Sequence, residues 1–177
     1  MIDIETLKLR NAEFASTYTN DLTIMPKFST IVLSCIDARV DPAQILGIDA
    51  GDALVMRTGG GRVSDDLILE LAILSGMVRR MRGDAFKGFS LAVIHHTDCG
   101  FERLANPEIA AGLSNGLGIE PAKLEALAIR EHSQSLAADV DKLKNSPNTP
   151  KDLKVGGYLF DVSTGLIDEV IPMQPIS

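Results

Sequence analysis

Two short stretches of this 177-residue chain hold the side chains best suited to chemistry. The first, Ser34-Cys35-Ile36-Asp37-Ala38-Arg39, sets a thiol, a carboxylate and a guanidinium at alternate positions after the apolar run Ile31-Val32-Leu33. The second follows another apolar run, Ser90-Leu91-Ala92-Val93-Ile94, and reads His95-His96-Thr97-Asp98-Cys99-Gly100. Cys35, His96 and Cys99 together offer two thiolates and one imidazole, a donor set suited to zinc in a tetrahedron. Three protein ligands leave one corner open, and zinc lowers the pKa of a water held there to roughly 7. Asp37, two residues past Cys35, can accept a hydrogen bond from the resulting hydroxide or fill the fourth corner itself.

Plainer readings compete with each of these. The two cysteines could be buried small hydrophobes, a single disulfide or a redox dithiol. Thiol exchange, however, has no use for a histidine three residues before Cys99. Asp37 and Arg39 could be only a structural ion pair at a strand end, and Asp98 suits a turn. His95 should point away from His96 if both lie on one strand, which makes it a packed or hydrogen-bonded histidine. His132 reads as a solvated helical histidine rather than a proton shuttle. Gly59-Gly60-Gly61 lacks the full spacing of a dinucleotide or phosphate loop and reads as a tight backbone turn close to the metal.

The elements that must position these groups follow from periodicity and end signals. Residues 4–19 place Ile4, Leu7, Phe14 and Tyr18 near helical spacing, predicting an amphipathic helix that lies on something. Residues 29–34, 53–57 and 90–96 read as buried strands, and Asp41-Pro42 opens a short helix that stops at Gly47. Ser64 caps a helix with Asp65 and Asp66 in its first turn and arginines at its end. Residues 101–118 are weakly patterned, Pro121 opens a long helix reaching about Lys144, and 155–162 with 166–171 form a hairpin or a strand with an edge extension. Continuous apolar strands separated by helices predict an α/β fold, a mostly parallel central β-sheet flanked by helices. In such sheets ligands bind beyond the carboxyl ends of the strands, where Cys35 and the 96–99 segment both fall.

Length and composition, 45% hydrophobic and 23% charged, suit a single domain over residues 1–177. A net charge of -7 with no basic block argues against nucleic acid or anionic lipid as a partner. No apolar run approaches the roughly 18 residues of a membrane helix, and the first residues lack a secretory pattern, so a cytoplasmic location is expected.

Cys35-x-Asp37-x-Arg39 with His96-x-x-Cys99-Gly100 resembles the zinc signature of the β-class carbonic anhydrases, and the likeness extends over most of the chain. Thr58-Gly59-Gly60 stands, after Arg57, where that family usually has an Asn-Ala-Gly turn. The short chain with His95-His96-Thr97 is similar to a compact branch that also holds carbonyl sulfide and carbon disulfide hydrolases. The resemblance implies a Zn2+ cofactor held by Cys35, His96 and Cys99, and a zinc-bound hydroxide that attacks CO2 to give bicarbonate. It implies that Asp37 orients the hydroxide, that Arg39 holds Asp37, and that backbone near Thr58, Gly59 and Gly60 borders the substrate. It also implies a homodimer or higher homo-oligomer in which the helix at about 3–19 lies across a partner subunit. COS and CS2, linear like CO2, are open to the same attack, and a non-catalytic zinc site completed by Asp37 is the other alternative.

Overall fold

The apolar runs of the sequence become neighbouring strands of one sheet in the computed structural model, which describes residues 3–176. Its strands are β1 (Thr30–Cys35), β2 (Leu54–Thr58), β3 (Ser90–His96), β4 (Lys154–Asp161) and β5 (Leu166–Pro175), in spatial order β2-β1-β3-β4-β5. The first three pairings are parallel, and β5 returns antiparallel on β4. β1 and β3 sit inside the sheet, covered on both faces, which is why they carry no polar alternation. Ile31, Leu33, Leu91 and Val93 are fully buried in the larger core, while Val32 and Ile94 join the smaller core that surrounds Cys35 and Cys99.

Local signals place the helices. In α1 (Ile4–Thr17) Asp3 caps the first turn by accepting from the Thr6 amide. α2 (Pro42–Ile45) is capped by Asp41, and Pro42 stands where no amide donor is needed. α3 (Asp65–Arg82) starts at Ser64, which accepts from the Leu67 amide, and its acidic first turn and basic last turn both match the helix dipole. α4 (Pro107–Leu117) follows a 3-10 stretch, Gly100–Ala105. Among the described residues no helix is long and apolar enough to cross a membrane.

Two expectations need correction. The single long helix from Pro121 to about Lys144 is two helices, α5 (Pro121–Leu127) and α6 (His132–Asn145). Ala128 is extended, and Glu131 starts the second helix by accepting from the amides of Ser133 and Gln134. The break turns Ile129 into the core beside Cys35 and Cys99. His132, expected to be solvated along a helix, instead stands in the first turn of α6 with its ring largely buried. None of the residues of α1 is buried, and Ile4, Leu7, Leu9 and Phe14 are all at least half exposed.

Candidate metal centre

β1 and β3 run parallel with Leu33 opposite Val93, so their carboxyl ends reach one rim side by side. Cys35 ends β1, His96 ends β3, and Cys99 follows after a turn in which Asp98 takes a left-handed backbone, φ 54°. One ligand atom from each of Cys35, His96 and Cys99 lies within 4.8 Å of the other two, and all three residues are buried. Two sulfurs about 2.3 Å from one tetrahedral ion stand about 3.8 Å apart. Cys35 Sγ and Cys99 Sγ are 4.0 Å apart, and both cysteines are free.

The histidine supplies an independent test of fit. His96 Nδ1 faces the Thr97 carbonyl at 3.0 Å, and a carbonyl only accepts, so Nδ1 carries the proton. In the neutral ring the lone pair then sits on Nε2, which is buried without a hydrogen-bond partner among the described residues. A buried acceptor beside two sulfurs and without a donor is what a cation would satisfy. Charge agrees with this. The Cys35 thiol is drawn down to about 4, first by the Cys99 thiol that donates to it and then by His96 and backbone amides. Cys99 is pushed up, first because it gives that hydrogen bond and then by burial. Burial works against the charged form of His96, but the Cys35 sulfur outweighs it and the net shift is upward. The two thiols thus share one hydrogen bond, with negative charge favoured on Cys35. The donor set, two sulfurs and a nitrogen, fits zinc.

Asp37 lies beside this group, Oδ2 4.0 Å from His96 Nε2. Arg39 clasps it: Nε and the backbone amide donate to Oδ1 at 3.0 and 2.9 Å, and Nη2 donates to Oδ2 at 2.8 Å. These bonds hold the Asp37 carboxyl well below the usual carboxylate range. Arg39 also donates to Asp98, to the carboxylate at 2.7 Å and the carbonyl at 2.9 Å, and so joins the two halves of the site.

The glycine turn closes the inner side. Gly60 and Gly61 have φ of 69° and 68°, a left-handed backbone open mainly to glycine. A methyl group on Gly61 would lie 2.7 Å from the Ile94 carbonyl, and one on Gly59 would lie 2.2 Å from the Phe101 ring. Thr58 turns its hydroxyl to the Arg62 carbonyl at 2.8 Å, so it fastens the turn. His95 faces away from His96, as expected, and meets Asp139 at 3.1 Å. Desolvation lowers its pKa.

Sequence reasoning missed several residues around the site. Arg57 donates to the Cys35 and Asp37 carbonyls at 2.9 and 2.6 Å and to the Asp41 carboxylate at 2.7 Å. Its partners lie 16 to 22 residues away in the chain, so no local pattern announces them. Asp139 receives Arg62 at 2.8 Å and the Val63 amide at 3.2 Å, tying the glycine turn to α6. Here a signal existed: a carboxylate among Leu136, Val140 and Leu143 on the buried stripe of a helix must have a partner. Glu102 and His132, 3.1 Å apart, complete the surroundings of Cys99.

No family model matches the chain. It is 31% identical over 165 residues to β-carbonic anhydrase 1 of Mycobacterium tuberculosis, covering 92% of this chain and 94% of that protein. It is 29% identical over 157 residues to a carbon disulfide hydrolase of an Acidianus strain, covering 75% and 72%. Among solved structures, the carbonic anhydrase of Streptococcus mutans superposes with a TM-score of 0.78 at 32% identity, over 96% of this chain and 99% of that one.

Proposed function

The chain belongs to the β-carbonic anhydrase family, which takes in carbon disulfide hydrolases, and we propose from this that it is a zinc enzyme hydrating CO2 to bicarbonate. The observation that carries the metal reading is the buried, unpartnered lone pair of His96 Nε2 beside two free sulfurs. Zinc held by Cys35, His96 and Cys99 would supply Lewis acidity that brings the pKa of water to about 7.

The chain's own residues would do the rest. Asp37 is kept ionised by Arg39, so at neutral pH it accepts hydrogen bonds and donates none. A carboxylate has about four lone-pair sites, and the Arg39 clasp uses three, which leaves one to hold and aim the attacking water. Arg39 acts by positioning, since it fixes both Asp37 and the turn that carries Cys99. In the alternative, that fourth lone-pair site lets Asp37 complete the tetrahedron and the metal is structural, which predicts zinc binding without turnover. COS and CS2 remain the alternative substrates, supported by the hydrolase relative. Two free thiols at the centre fit a reducing, cytoplasmic compartment. The apolar residues on α1, none of them buried, fit a homo-oligomer in which that helix is covered by a second copy.

Stopped-flow detection of proton release from CO2, with sulfide release from COS and CS2 followed in parallel, tests the reading on protein of known zinc content. CO2 turnover at one zinc per chain is the expected result. No turnover of any of the three across about pH 7 to 9, with zinc fully bound, overturns it.

A further inference from the structure

The turn that delivers Cys99 is held from two sides. Asp98, within that turn, is the one non-glycine residue with positive φ among the described residues, a backbone that Asp tolerates better than most. Arg39 grips Asp98 from the β1 side. On the other side Glu102 Oε1 accepts the Cys99 amide at 2.9 Å, while the Glu102 amide donates back to the Cys99 carbonyl at 3.0 Å. The same Oε1 meets His132 Nε2 at 3.1 Å. His132 is set by a stretch stitched to both neighbours. Ile129 donates its amide to the Phe101 carbonyl at 3.4 Å, Arg130 reaches the Ala105 carbonyl at 3.2 Å, and Arg62 reaches the Ala128 carbonyl at 2.8 Å. The imidazole lies with Nδ1 buried and without a protein partner among the described residues, its ring centroid 6.0 Å from that of His95. A histidine free to turn to water would satisfy that nitrogen. Its inward pose costs a hydrogen bond, and the contact on view that offsets the loss is Glu102.

We propose that Glu102 and His132 are a positioning pair for Cys99: the carboxylate pins the ligand's amide and the imidazole, anchored in α6, pins the carboxylate. The pair thereby links the break between α5 and α6 to the tightness of the metal centre. It touches neither substrate nor reacting atoms. The proposal rests on Cys35, His96 and Cys99 being the metal ligands, and it concerns how firmly they hold.

The test compares zinc affinity, by competition with a chromophoric chelator, and the visible spectrum of the cobalt-substituted protein. Outer partners of metal ligands are typically worth about 10- to 100-fold in affinity. Glu102→Ala is expected to weaken zinc binding by about that factor and to shift the cobalt bands. Glu102→Gln, whose amide oxygen accepts both hydrogen bonds, should stay within about threefold of wild type. His132→Ala should weaken binding in the same direction, His132→Gln should restore it, and the double alanine variant should be no worse than Glu102→Ala alone, because both residues act through one contact. Glu102→Ala binding zinc within about twofold of wild type with an unchanged spectrum overturns the proposal, as does Glu102→Gln being as weak as Glu102→Ala. Should Glu102→Ala fail to fold, the His132 variants decide, and His132→Ala indistinguishable from wild type overturns it. Wild type that binds no zinc removes the ligand reading and this pair's role with it. Tight wild-type binding that no variant disturbs removes the pair's role alone.

Discussion

At the scale of single residues, the proposed roles of Asp37 and Arg39 divide one task. Asp37→Ala removes the acceptor beside the ligand group but no proposed ligand, so zinc content should stay at one per chain while CO2 hydration falls by about 100-fold or more. Loss of zinc in that variant would show that Asp37 is itself a ligand. Arg39→Gln should keep the metal as well and lose part of the activity, because the carboxylate is freed. The clasp also predicts a pH dependence of stability. Arg39 lowers the folded pKa of Asp37, so this contribution is present above the unfolded value of about 4 and is lost as pH falls through the folded one. Melting temperatures of metal-free wild type and Arg39→Gln should therefore differ at pH 7, and the difference should begin to shrink below about pH 4. The Cys35, His96 and Cys99 cluster was legible in the sequence because it comes in two short motifs, each closing an apolar run. Arg57, Glu102 and His132 were not, because their meaning lies in partners brought together only by the folded chain.

At the scale of elements, the site is the rim where β1 and β3 end, backed by the Gly59–Gly61 turn. The turn tolerates no side chain for two different reasons, and they predict different outcomes. At Gly61 the obstacle is backbone, the Ile94 carbonyl, together with φ of 68°, so Gly61→Ala should be strongly destabilising, by about 2 kcal/mol or more, with no single rescuing substitution. At Gly59 the obstacle is the Phe101 ring. Gly59→Ala should therefore be destabilising alone and partly rescued by Phe101→Leu, a non-additivity that urea unfolding of the four proteins would measure. The strands and α3 were legible because apolar runs, Ser64 and the terminal charges agree with one another. The break at 128–131 was hidden, since Ala128, Ile129 and Arg130 include neither glycine nor proline. What bends the chain there is Ile129 entering the core and Arg62 holding the Ala128 carbonyl.

At the scale of the whole molecule, the exposed apolar side chains of α1 predict assembly. Light scattering at micromolar concentration should give at least a dimer, and removal of residues 1–18 should shift the mass to that of one chain. A clean single-chain mass for the intact protein would leave those side chains unexplained. The length of α1 carries a kinetic consequence as well. An isolated helix of 14 residues is marginal in water, and this one draws no support from its own sheet. It should therefore form late, after the sheet has closed, and only on collision with another molecule. Refolding followed by far-ultraviolet circular dichroism should then end in a phase whose rate rises in proportion to the number of molecules per volume, while the earlier phases stay indifferent to it.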